Sequence, residues 1–289
     1  MTTTSPRPPV RRFSAEYFRP LLLPLGIGGY LNFLVWMVWG FGIDGWSFPG
    51  IDVWAVFYPA GNDFLANQQP YTGLFFYGPP WAVVLGVFAA LPYGLLHVAI
   101  IALDFVALWV IAGRSWVRAG LLLWIPLVIG EIASGQLNIL VAGAIVEAQR
   151  GRVWPLAMLS WAKLWPALAL PPRKWKPFLI AVVAFGAIAL PWPYLYVDWI
   201  QSLVGNLPHP VAPPFPIPFL VRLPVAIVLI ALQRPWTRAL GAALASPNLY
   251  WGQLVVLIAP IALWLQERSS RPPAAEPAEP AVPAPVPAV

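Results

Sequence analysis

From Leu21 to Ile43 the chain runs 23 residues without one charged side chain. Such a run has few places to fold. About 20 apolar residues in a helix cross hydrocarbon roughly 30 Å thick, because each adds about 1.5 Å. Comparable stretches recur as far as Gln266, and 60 % of the residues are hydrophobic against 10 % charged. A water-facing surface cannot be built from that mixture. The mean hydropathy of +0.72 says the same. The expected fold is an all-α, polytopic transmembrane helical bundle of about eight to ten membrane segments, some too short to cross and therefore broken or re-entrant.

Proline and glycine divide the apolar stretches. Residues 1–19 read as a cytoplasmic N-terminal arm carrying Arg7, Arg11, Arg12 and Arg19, with the first span an uncleaved anchor over 20–43. A transmembrane domain covers 20–268. Within it, 44–78 is a polar loop and 197–218 a second, proline-rich one. Shorter segments at 79–91, 95–112, 119–130, 133–149, 153–171, 177–196, 219–233, 239–247 and 250–266 fill the rest. Residues 269–289 are Pro/Ala repeats, unable to bury a core and expected to be disordered.

Charge sets the orientation. Short loops rich in Lys and Arg stay in the cytoplasm, which puts Arg7 to Arg19, Lys174 and Lys176 inside and both polar loops outside. Parity alone leaves Arg114, Arg118, Arg150 and Arg152 outside, against that rule. A broken element at 119–130 or 153–171 would return Arg150 and Arg152 to the inside. The net charge of +6 is scattered between spans, not gathered as a groove with stacking aromatics, so nucleic acid is not an expected partner. The chain has no cysteine, which excludes disulfides, thiolate catalysis and Cys-bound metals, and its two isolated histidines, His97 and His209, make no metal motif.

Chemistry is expected between Ile51 and Pro80, a stretch with Asp52 and Asp63 but no Lys or Arg. Asp52 precedes Val53, Val56, Phe57 and Tyr58, whose spacing predicts a short interfacial helix. Asp52 can act there as a general base or simply cap the helix start. Asp63 can bind sugar hydroxyls or solvate a loop tip. Gln136 and Asn138 open an otherwise apolar helix, where their amides must find partners in a neighbouring helix or a ligand. Lys163 is a cation inside an apolar stretch, suited to a phosphate or to snorkelling at an interface. Asp104 and Glu131 are intramembrane acids, either of which can serve as its structural partner.

These residues carry a resemblance. Asp52 with Phe57-Tyr58-Pro59-Ala60-Gly61, Pro70-Tyr71 and Phe76-Tyr77-Gly78-Pro79-Pro80, then Gly135-Gln136-Leu137-Asn138, Ala162-Lys163-Leu164-Trp165-Pro166 and Ser246-Pro247, resemble in order the motifs of glycosyltransferase family 87. Those are the polyprenyl-phosphate-mannose-dependent mannosyltransferases of the C-type superfamily. Where the family pattern has acidic and histidine positions after the Ser-Pro element, this chain has Trp251, Gly252 and Gln253. The resemblance implies transfer of a sugar, mannose in that family, from a polyprenyl-phosphate carrier to a glycan or glycolipid acceptor at the outer face of the cell membrane. Asp52 would be the general base, with Tyr58, Asp63, Gln136, Asn138 and Lys163 binding substrate. It implies no cofactor and no metal. Lys163, Arg114 or Arg118 would stabilise the departing phosphate. A membrane carrier or lipid flippase, or a non-catalytic scaffold, are the competing expectations; a carrier predicts internal repeats.

Overall fold

A computed structural model describes residues 19–42, 52–71, 75–206, 216–247 and 249–270. The N-terminal arm before Arg19, the centre of the proline-rich loop with His209, and the Pro/Ala tail lie outside these residues. Among the described residues every regular element is a helix. In order they are α1 (Arg19–Gly42), α2 (Tyr58–Leu65), α3 (Pro79–Ala89), α4 (Tyr93–Ile111), α5 (Trp116–Leu122), α6 (Pro126–Ser134), α7 (Asn138–Gln149), α8 (Trp154–Ser160), α9 (Trp175–Gly186), α10 (Tyr194–Asn206), α11 (Phe219–Ala231), α12 (Pro235–Leu244) and α13 (Ile258–Ser269).

By length and composition, α1 over Arg19–Val38 and α4 over Gly94–Ile111 can each cross a membrane. Two bent pairs raise the number of candidate spans to four: α5 with α6, bent by 95°, and α9 with α10, bent by 110°. The described residues thus give two to four candidate spans, against an expectation of about eight to ten membrane segments that included broken or re-entrant ones. Proline cuts the remaining apolar runs into helices shorter than a bilayer: Pro126, Pro155, Pro166, Pro171 and Pro235 all begin or break elements. Large apolar side chains still face outward along these pieces, among them Val183 at 69 % and Leu220 at 77 % exposure. Apolar surface of that extent suits lipid, not water.

Two stretches read as loops are helical in part among the described residues. The segment 44–78 contains a π-helical turn, Val53–Phe57, that runs into α2, and α10 takes up 197–206 of the second loop. In the first of them the apolar residues are the reason. Val53, Phe57, Ala60 and Gly61 all turn one buried face inward.

Close approach joins α1 to α5. A Cβ on Gly26 would lie 2.6 Å from the Val117 carbonyl oxygen, and one on Gly29 would collide with that of Gly120. Small residues permit such contact between membrane helices, where dispersion replaces the hydrophobic drive.

The bundle has two chemically different ends. Glu147, near the C-terminal end of α7 and only 7 % exposed, takes Arg150 at 3.0 Å, Arg152 at 3.2 Å and Arg114 at 3.6 Å. Lys174 Nζ would lie 2.9 Å from a Cβ on Gly151, and Arg173 is an electrostatic neighbour of Arg238 on α12. Parity separates Arg114, Arg150 and Arg152 from Lys174, whereas the folded chain brings them to Lys174's end. From there α7 leads back twelve residues to Asn138, about 18 Å at the helical rise.

Candidate functional site

At the opposite end of α7 a polar cluster is assembled from segments far apart in the chain. Gly135 ends α6 in the left-handed conformation, φ 74°, which glycine adopts without a Cβ penalty. That turn aims Glu131, Gln136 and Asn138 at one another. Asn138, fully buried, donates through Nδ2 to Glu131 Oε2 at 2.8 Å, with Gln136 Oε1 at 3.0 Å and the Tyr250 hydroxyl at 3.1 Å. Tyr250 in turn donates to Gln136 Oε1. Lys163 Nζ donates to Asn138 Oδ1 at 2.5 Å and lies 5.9 Å from the Tyr250 ring centre. Each of these buried polar groups is satisfied by another, as membrane-depth chemistry requires. Glu131 therefore meets Lys163 through the Asn138 amide.

Asp52 faces this cluster from the start of the π-helical turn. It stands where a cap would stand, yet its side chain makes no capping hydrogen bond. Burial lifts its carboxyl to about 6, while the Lys163 ammonium pulls it back down. π-helical turns are rare and recur at functional sites. Tyr77 is close by: burial holds its phenol well above the ordinary range, and the Asp52 carboxylate adds to that. Its ring lies 5.5 Å from Phe57 and 5.6 Å from Phe75. The Phe76–Pro80 strip is fixed by Trp199 Nε1 donating to the Phe76 carbonyl at 2.9 Å and Gly78 N–H donating to the Trp161 carbonyl at 2.6 Å.

Phe57 and Tyr77 also line a narrow, wholly apolar cavity of about 60 Å³ between α3, α4 and α7, walled further by Phe88, Leu96, Ile100 and Leu137. The polar cluster and the apolar cavity thus share a wall.

Of the residues singled out from the sequence, Asp52, Gln136, Asn138 and Lys163 come together. Tyr58 sits at the junction of the π-helical turn and α2, half-buried against the core. Asp63 is on the last turn of α2, and no side-chain hydrogen bond or ion pair joins it to the cluster among the described residues. Arg114 is held by Glu147 at the far end, and Arg118 belongs to α5 with its guanidinium beside Gly113. Neither reaches Asp52. Asp104 on α4 is 0 % exposed, and both its oxygens lack a hydrogen-bond partner among the described residues; Glu131 is its electrostatic neighbour. His97 lies seven positions earlier on α4, with Nε2 unpartnered among the described residues. No group of three His, Asp or Glu residues converges as a metal site among the described residues.

Sequence reasoning misses Tyr250. It notes instead the unexpected residues that follow it, and Gly252 has a steric reason to be there: a Cβ would lie 2.5 Å from Glu131 Oε1. The signal for Tyr250 is its place four residues after Ser246, beside the stretch compared with the family motif.

The chain matches no family model, no curated protein and no solved structure.

Proposed function

We propose that the chain is an integral membrane glycosyltransferase that moves a sugar, mannose by its motif resemblance, from a polyprenyl-phosphate carrier to an acceptor hydroxyl. Asp52 takes the acceptor proton as that oxygen attacks the anomeric carbon. The bond from carbon to phosphate oxygen breaks, its electron pair leaves with the polyprenyl phosphate, and the configuration inverts. The donor already carries a good leaving group, so a second carboxyl acting as general acid is unnecessary, unlike the paired acids of glycosidases. Lys163, held by Asn138, offers a positive charge to the developing phosphate dianion. The apolar cavity behind Phe57 and Tyr77 suits the first part of an isoprenoid tail.

One observation carries this reading above the others: Asp52 is an uncapped carboxyl, lifted to about 6, facing an ammonium beside an apolar wall. A merely structural cap would be hydrogen-bonded to its helix. The proposed orientation places the cation-rich end in the cytoplasm and Asp52 toward the outer face of the cell membrane. A second reading, a membrane carrier, draws on the intramembrane acids Asp104 and Glu131 beside the broken α5–α6 pair.

Membranes containing the wild type or Asp52→Asn, supplied with polyprenyl-phosphate-mannose and a glycan acceptor, separate the two. The enzyme reading expects turnover to fall by about a hundredfold or more, the usual contribution of a positioned base. Equal turnover removes Asp52 from the chemistry. Donor crossing the bilayer without being consumed would establish the carrier.

A further inference from the structure

At the cation-rich end, well away from Asp52, α12 and α13 enclose a cleft of about 330 Å³ lined by Arg234, Trp236, Trp264, Glu267 and Arg268. We infer that this cleft is a binding site for a phosphate group, of the kind carried by the headgroup of an anionic phospholipid. The inference does not depend on the glycosyltransferase reading.

Two guanidiniums enter from opposite walls. Arg268, in the last turn of α13, is braced over the Trp264 ring, its Cζ 5.2 Å from the ring centre. Arg234 is the residue before α12, in extended conformation, followed by proline at the first helical position. The first turn of α12 therefore opens at the cleft with backbone N–H groups that no helical carbonyl can accept from, and with the positive end of its dipole. A forked guanidinium matches phosphate oxygens in a way an ammonium does not. Trp236 and Trp264 supply the aromatic surface typical of the headgroup level.

Within the cleft the negative charge opposing these groups is Glu267, whose Oε1 is 3.9 Å from Arg234. At that length, with the Arg234 side chain 57 % exposed, the pair is weak, and a phosphate met by both guanidiniums can displace it. Arg238 stands one turn further along α12 with Arg173 as its electrostatic neighbour, so the surrounding field is positive. Basic pockets between helices on the cytoplasmic side are where anionic headgroups settle.

The full chain, purified in detergent and stripped of lipid, is mixed with dioleoyl phosphatidylglycerol, dioleoyl phosphatidylcholine or inorganic phosphate, and bound lipid and Tm are measured. Wild type is expected to retain phosphatidylglycerol over phosphatidylcholine. Each arginine near an anionic headgroup contributes about fivefold, so Arg234→Gln with Arg268→Gln should lower retention by about twenty-five-fold. Both side chains are exposed, and an unchanged Tm in phosphatidylcholine shows that the double variant is folded. Glu267→Gln should act in the opposite direction and raise retention. A Tm increase with inorganic phosphate alone, lost in the double variant, supports the same site with free phosphate as its source. Equal retention of the two lipids, or equal retention of phosphatidylglycerol by wild type and double variant, overturns the inference.

Discussion

At the scale of single residues, the Asp52 side of the molecule turns on which polar groups are satisfied and which are not. Asn138 is held from both ends of its amide: it donates to Glu131 and accepts from Lys163. Replacing it with leucine leaves an ammonium and a carboxylate without the amide between them, at a cost of about 3 kcal/mol. Thermal unfolding of Asn138→Leu in detergent checks this, and a Tm equal to wild type would show that the network carries no stability. Asp52 makes a prediction about pH. Its folded-state value of about 6 is above the ordinary carboxylate range, so the base form is lost as pH falls through that value and is gained as pH rises. Turnover should therefore climb with an ionisation near pH 6 and level off above about pH 7. A rate independent of pH from about 5 to 8 removes Asp52 as the base.

The elements owe their places to devices of one or two residues. Arg222, in α11 and 5 % exposed, donates to the carbonyls of Leu244 at 2.7 Å and Ser246 at 2.9 Å, and through Nε to that of Ile217 at 2.9 Å. It thereby satisfies the end of α12 and fixes the Ser246-Pro247 turn that leads to Tyr250. Arg222→Met keeps the length but removes every donor, stranding buried carbonyls. A loss of about 3 kcal/mol is expected, together with a parallel fall in turnover because Tyr250 and Gly252 hang from that turn. Stability falling while turnover holds would separate the turn from the site. Gly135 works the same way at the α6–α7 junction. Its positive φ, which ends α6 and turns the chain into α7, is not readable from Gly-Gln-Leu-Asn alone.

On the scale of the whole molecule, charge is segregated lengthwise. Arg114, Arg150, Arg152, Lys174, Arg173 and Arg238 form one end, and the Asp52 cluster lies across α7 from them. If the positive end is cytoplasmic, a cysteine placed at the exposed Arg173 should be shielded from an impermeant thiol reagent in intact cells, and one at the exposed Gln69 should react. The chain has no cysteine of its own, so each single-cysteine variant reports only its own site. The reverse labelling pattern would invert the orientation and put Asp52 in the cytosol.

The sequence by itself determined the class: apolar runs of bilayer length, too few charges for a wet surface, and helix breaks at proline and glycine. It also located Asp52, Gln136, Asn138 and Lys163, because a polar residue in an apolar stretch stands out against its neighbours. What only tertiary structure decided is which of those residues meet. Parity separates Arg150 and Arg152 from Lys174, and of the two breaks that could reunite them only the fold shows the 95° bend between α5 and α6. Tyr250 joins Gln136 across 114 positions of chain. Asp63 does the opposite: it follows Asp52 closely in the sequence, yet from the last turn of α2 it makes no side-chain hydrogen bond or ion pair to the cluster among the described residues. Hydrophobic period and charge are properties of a segment, whereas a hydrogen-bonded cluster depends on where separate segments cross.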